Sequence, residues 1–363
     1  MSQNANNLMK ILVIGGTGVV SHLMVARWLD LECRVTILTD GRGTFPVDNR
    51  IVRHVICDRN SVSDLSVAVR DGTFWDLVVD TVCFSANQAL SLLNATRDIC
   101  GARVLLGTSL VYDCDQASPI SEKFGVIAKA LRNDYVRGKV RAESAYLEFD
   151  QAHGGNLILR APHILGQGSL VGALPLHNRD AFLLKRILDR KPLVLVNSGQ
   201  VRFSYVCPED LAEVCLHWAR LGEKSNVVAN CAASEVLDGV SYYERLAAIL
   251  GREVLIESIP REIICHSNWG WQATACDRIL DTTLLNQWVP NIQFTPFQSI
   301  AENAVHWLER EDRTGTESEY QKYGALLDEI ARGSWKRIGN IEHLLASLRL
   351  VVPTSNVDIR MNR

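Results

Sequence analysis

The feature that most restricts how this chain can fold lies near its start. An apolar, β-branched run, KILVI (10–14), passes without a break into Gly15-Gly16-Thr17-Gly18-Val19-Val20-Ser21, and a helical pattern follows over 21–31. Strand, glycine turn and helix in that order gather backbone N–H groups at a helix N-terminus, where the unpaired amides and the helix dipole favour an anion. Gly15 permits the tight turn, and Gly18 lets the backbone approach a pyrophosphate. Val19 and Val20 carry the chain into the helix. Ser21 stands where a third glycine is usual; close helix–strand packing needs a small side chain there, and serine is the next size up. A glycine pattern alone is weak, but one placed at the first strand-to-helix junction reads as a dinucleotide site.

The chain then alternates. Strand-like runs at 34–38, 52–57, 77–82, 103–107, 156–160 and 227–231 are separated by helical patterns at 62–70, 86–100 and 133–146. Parallel strands need crossovers, and the spacings leave room for them. The expected fold class is α/β, a doubly wound parallel Rossmann-type sheet. After Arg160 the pattern loosens. Helices are expected at 180–190, 209–221 and 241–250, with a short strand at 193–196, which suits a smaller substrate lobe. A charged helical tail follows. The expected division is 8–165 for the cofactor domain, with return segments near 200–232, then 166–311 for most of the substrate lobe and 312–363 for a helical C-terminal extension.

With 47% hydrophobic and 22% charged residues, the composition is that of an ordinary globular protein. The formal net charge of -3 lacks the basic footprint of a dedicated nucleic-acid binder. No run is long and apolar enough for a membrane span, and the polar first seven residues carry no apolar signal segment, so a cytoplasmic location is expected. The ten cysteines are scattered and include no C-x-x-C pair, so reduced structural thiols are expected and no metal site is signalled.

At the end of the second strand stand Asp40 and Arg42. A carboxylate there accepts hydrogen bonds from ribose hydroxyls and repels a 2′-phosphate, whereas an arginine attracts that phosphate. The two pull in opposite directions. Because Asp40 is nearer the strand end, the reading for an NAD(P) cofactor leans to NAD. Asp58, after the third strand, is a candidate for the adenine amine or a turn-forming aspartate.

Tyr135 and Lys139 form Y-x-x-x-K in a helical stretch, and a spacing of four puts both side chains on one face. An ammonium beside a phenol favours the phenolate, so this tyrosine can pass a proton to or from a hydroxyl near neutral pH. Thr108 and Ser109 end the fifth strand, where a hydroxyl can meet the same substrate oxygen.

The segments GGTGVVS, TSLVY, YVRGK, LILRAPHILG and GQVRFSYVCPEDLA are together similar to those of the extended short-chain dehydrogenases/reductases, the NAD-dependent epimerase/dehydratase family, over roughly 10–308. The resemblance implies an NAD(P)-dependent oxidoreductase or epimerase acting on a secondary alcohol or ketone of a nucleotide sugar or related polar metabolite. It implies Tyr135 as acid/base, Lys139 as its partner and Thr108 as the third member, with Ser109 as an adjacent hydroxyl. It also places Asp80, Thr81 and Val82 along the cofactor after the fourth strand, Pro162 near the nicotinamide, and Cys83 and His163 toward the substrate. His163 reads more readily as a packed loop histidine than as a donor to a substrate oxygen. A homodimer is the fold-level expectation. The family's sugar 4,6-dehydratases carry Asp-Glu after their threonine. Ser109-Leu110 stands in that slot here, which argues against dehydration. DGRG and YVRGK are also similar to chloroplast stem-loop-binding proteins, which raises an RNA-associated or redox-sensing binding protein as the alternative. The acidic balance and the intact Tyr/Lys pair weigh against it.

Overall fold

The computed structural model describes residues 8–311 except 44, 114–116, 125–133, 151–153, 174–181, 223–224, 262–275 and 291, together with 317–318, 320–321, 324–325 and 328. In the first half, β1 (Lys10–Ile14), α1 (Ser21–Asp30), β2 (Arg34–Thr39), β3 (Arg53–Ile56), α2 (Val62–Val69), β4 (Leu77–Asp80), α3 (Ala86–Ala95), β5 (Arg103–Leu106), α4 (Asp134–Glu148) and β6 (Asn156–Arg160) follow in turn. The second half contributes β7 (His163–Ile164), α5 (Leu183–Leu188), β8 (Leu193–Val196), β9 (Arg202–Phe203), β10 (Tyr205–Val206), α6 (Pro208–Arg220), β11 (Val227–Asn230), β12 (Leu237–Asp238), α7 (Gly239–Ile249), β13 (Ile256–Ile259), α8 (Thr283–Trp288) and α9 (Phe297–Glu311).

Seven of these strands form one parallel sheet in the order β11-β6-β5-β4-β1-β2-β3. The central strands are buried throughout, as LVVD in β4 and RVLL in β5 show, because helices cover both faces. On one face α1 and α6 pack together; Trp28 Nε1 donates to Ala212 O at 3.0 Å between them. On the other face α3 and α4 bury Ala89, Leu93, Ala142 and Tyr146 against Leu105 and Ile158. The helix starts follow from local chemistry. Ser61 and Ser85 accept from Asp64 N and Gln88 N as N-caps, and Pro208 opens α6, where its missing N–H costs nothing.

The strand order reverses between β1 and β4. Ile14 pairs with Asp80 there, so Gly15 and Thr81 leave the sheet side by side. Ligands of such sheets bind at the carboxyl ends of the strands at this switch. A second core, separate from the sheet, joins α5, α7 and α9 through Leu183, Leu246, Tyr242 and Phe297. Part of the tail packs on it. Tyr320 meets Phe182 at 5.5 Å and the Lys185 ammonium at 4.4 Å, and Asp328 pairs with Lys191 and the fully buried Arg186. The cysteine expectation needs one correction. Seven described cysteines are free and buried, but Cys276 is disulfide-bonded.

Candidate functional site

Gly15 and Gly16 adopt φ of +110° and +115°, a region that side chains rarely tolerate. A Cβ on Gly15 would lie 2.3 Å from Thr81 Oγ1, and one on Gly16 2.7 Å from Ile37. The turn is therefore pressed onto the sheet, and Thr81 secures it by donating to Ile14 O at 2.8 Å. Ser21 has a use of its own at the third-glycine place: its Oγ accepts from Gly16 N at 3.0 Å and Gly18 N at 3.2 Å. Helix α1 starts after Val19 and Val20 with no side-chain cap and no acidic residue in its first turn. Its N-terminus is thus open to an anion.

A cavity of about 390 Å³ opens from this turn, lined by Gly15, Thr17, Gly18, Asp40, Arg42, Asp58 and Val82. Seven residues singled out in the sequence thus share one wall. Asp40 and Arg42 form an exposed ion pair at 2.6 Å, and the Arg42 backbone amide donates to the same carboxylate. Asp58 Oδ1 accepts from Asn60 N and Nδ2, which makes it a turn-former while it lines the cavity.

Several cavity residues carry no motif. Arg59 makes a two-pronged pair with the fully buried Asp80, at 2.7 and 2.9 Å, and reaches Gln88 O at 3.2 Å. Asp80 also accepts from Val82 N. This pair ties the loop after β3 to the loop after β4. An aspartate ending an apolar strand was the available signal, since a buried carboxylate needs a cation. Gln88 and Phe84 complete that wall.

At the other end, Lys139 is only 3% exposed and donates from Nζ to Leu106 O at 2.9 Å. Tyr135, half-buried in the first turn of α4, places its ring centroid 5.9 Å from that nitrogen. Thr108 caps a short 3-10 turn by accepting from Leu110 N, and Ser109 lies buried beside it. The carbonyls of Ser109 and Tyr112 accept from the buried Arg278, whose guanidinium burial pulls down to about 10. Behind α4, Arg160 donates to Glu143 at 2.7 Å and to the Tyr112 hydroxyl at 3.0 Å, and Tyr112 donates to Asn230 Oδ1 at 2.7 Å.

Pro162 follows β6 and is half-buried. His163 is in β7, buried and edge-on to Phe203 at 4.9 Å. Cys83 is fully buried, and burial pushes its thiol up to about 12, as befits a packed core thiol. Among the described residues no helix is long and apolar enough to cross a membrane, and no group of His, Cys, Asp or Glu is placed to hold a metal ion.

A family model described as the NAD dependent epimerase/dehydratase family matches residues 11–232. A search of curated proteins found no match. Among solved structures, a UDP-N-acetylglucosamine 4-epimerase from Methanobrevibacter ruminantium, in complex with UDP-N-acetylmuramic acid, superposes with a TM-score of 0.69 at 14% identity, over 84% of this chain and 99% of that one. A UDP-glucose 4-epimerase from Thermotoga maritima with UDP-glucose gives 0.64 at 16% identity, over 84% and 99%. The Bordetella bronchiseptica enzyme WbmH in complex with NAD+ gives 0.64 at 15%, over 83% and 99%. At such identities the likeness is one of fold.

Proposed function

Because this chain belongs to the NAD-dependent epimerase/dehydratase family and is an NAD-dependent enzyme of the extended short-chain dehydrogenase/reductase type, we propose that it epimerises a carbinol carbon of a nucleotide sugar, with Tyr135, Lys139 and Thr108 as its acting residues. The observation that carries this reading is the seating of the Lys139 ammonium beside the Tyr135 ring, at the carboxyl end of β5 and next to the glycine-turn cavity.

The residues present fit the cofactor. The positive-φ glycines bring the backbone to the cavity, and the uncapped N-terminus of α1 suits a pyrophosphate. Gly15, Thr17, Gly18, Val19 and Val20 would hold that group, Asp40 the adenosine ribose and Asp58 the adenine end. Thr81, Val82 and Pro162 would line the remainder. When bound, NAD supplies the hydride acceptor and donor. The chain's own contribution is proton movement and orientation. Tyr135 takes the proton from the substrate hydroxyl at its phenolic oxygen and later returns it. Lys139, fixed by Leu106 O, places a positive charge beside the Tyr135 ring. Thr108 donates to the same substrate oxygen and orients it. With Ser109 and Leu110 after Thr108, no carboxylate stands in the elimination slot. Ser109 and His163 would border the sugar, whereas the fully buried Cys83 packs with α3 and α4; residues 166–311 would build most of the sugar's lobe. NAD is favoured over NADP because Asp40 both occupies the ribose end and draws the Arg42 guanidinium onto itself.

The test starts with the protein as purified. Released cofactor is identified by mass spectrometry, and UDP-glucose and UDP-N-acetylglucosamine are assayed for sugar inversion without net absorbance change at the reduced-nicotinamide band. Tyr135→Phe is expected to cut turnover by about 10²-fold or more. Full turnover in that variant would remove Tyr135 from the mechanism.

A further inference from the structure

Phe84 is 44% exposed and faces the cofactor cavity. It is not a loose surface side chain. Its backbone amide donates to Gln88 Oε1 at 2.7 Å, and Gln88 Nε2 donates to Asn60 Oδ1 at 2.9 Å. Its carbonyl lies against α4 so closely that a Cβ on Gly138 would be 2.1 Å from Phe84 O. The glycine of YVRGK thus has a physical role: it lets the loop after β4 touch the helix one residue before Lys139. The contact sets the Phe84 ring 4.9 Å from Lys139 Nζ and 6.1 Å from the Tyr135 ring. The ammonium lies beside both aromatic rings and is held by its carbonyl partner Leu106 O.

We propose that Phe84 is a positioning residue for Lys139: the face of its ring holds the buried ammonium in place, shielded from water and beside Tyr135, with Gly138 as the contact that makes this possible. The proposal rests on the reading that Lys139 serves Tyr135. A phenyl face attracts a cation through its quadrupole, which an aliphatic side chain of similar bulk does not. Arg59 holds Asp80 and Gln88 O, so the loop that presents Phe84 is also tied to the adenosine end of the cavity.

The experiment needs no substrate. Wild-type protein and the variants Phe84→Leu, Phe84→Met, Phe84→Tyr and Gly138→Ala are pulsed with acetic anhydride, and acetylation at each lysine is mapped by peptide mass spectrometry. Other lysines serve as internal references for intact folding. Acylation requires the neutral, accessible amine. Lys139 should therefore react about fivefold faster or more in Phe84→Leu and Phe84→Met, and at the wild-type rate in Phe84→Tyr. Gly138→Ala should behave like Phe84→Leu. A wild-type rate at Lys139 in both Phe84→Leu and Phe84→Met overturns the proposal, as does a Phe84→Tyr rate equal to theirs. Should one aliphatic variant expose all lysines, the other decides. Retained turnover in Tyr135→Phe would overturn the acid/base reading alone and leave the labelling result standing.

Discussion

Asp40 shows how one side chain can carry two opposed readings until its neighbour is located. Its carboxylate accepts from Arg42 Nε at 2.9 Å, Nη2 at 2.6 Å and the Arg42 amide at 3.0 Å. The arginine that would greet a 2′-phosphate is thereby turned toward a competing anion. Asp40→Asn weakens that hold and removes the negative charge just after β2. The Kd ratio of NADP to NAD should then fall by about tenfold, as titration calorimetry with each dinucleotide would show. An unchanged ratio would mean that Asp40 does not set the choice. The glycine turn, Asp40, Arg42 and Asp58 were legible because each stands at a fixed offset from a strand end, and the strands announce themselves by apolar runs. Arg59, Gln88 and Phe84 were not. Their places follow from where β3 and β4 come together in the sheet, and no local pattern encodes that.

At the scale of elements, α4 is held to the sheet by more than apolar contact. Glu143 on the helix and Arg160 on β6 pair at 2.7 Å with side chains 3% and 8% exposed. Burial pushes the Glu143 carboxyl up against the opposing pull of Arg160. Arg160 also stacks over Tyr112 at 4.9 Å, and Tyr112 reaches Asn230 beside the end of β11. The pair thus registers the Tyr135 helix against two strands, β6 and β11. Glu143→Gln should cost about 3–5 kcal/mol, because Arg160 is left as an uncompensated buried charge. The double replacement Glu143→Leu with Arg160→Met should cost less than either single change. Urea denaturation of the four variants checks this, and additive losses in the Glu143→Leu/Arg160→Met cycle would show that the charges act independently. The sheet strands were readable to within one or two residues at each end. The two-residue pairs β10 with β7 and β12 with β9 were not, since a pair so short has no period and exists only through its distant partner.

At the scale of the whole molecule, one carboxylate gathers the second core. Glu235 follows β11. It accepts from the Tyr205 hydroxyl at 2.6 Å, from Phe297 N at 3.1 Å and from Arg245 Nη1 at 2.6 Å. It therefore ties β10, α7 and the start of α9 to the strand that ends the parallel sheet. Burial works against its charge, but the Tyr205 hydroxyl, Arg245 and the Phe297 amide outweigh burial and hold the carboxyl below its ordinary 4.5. The sign follows from linkage. With the folded value below the unfolded one, the unfolded chain takes up the proton first as pH falls. The stability from Glu235 is complete above about 4.5 and is lost as pH drops through the lowered folded value. Asp48, Asp71 and Asp281 are also held low, so the wild-type acid limb sums several groups. A difference curve isolates this one. Melting temperatures of wild type and Glu235→Gln, taken from pH 7 down to pH 3.5, should be furthest apart near neutrality, with wild type the higher, and converge below about 4.5. Parallel curves across that range would show that Glu235 binds its partners no better when charged. The second core would then owe its place on the sheet to apolar packing and to ties such as the Asp210–Thr295 hydrogen bonds.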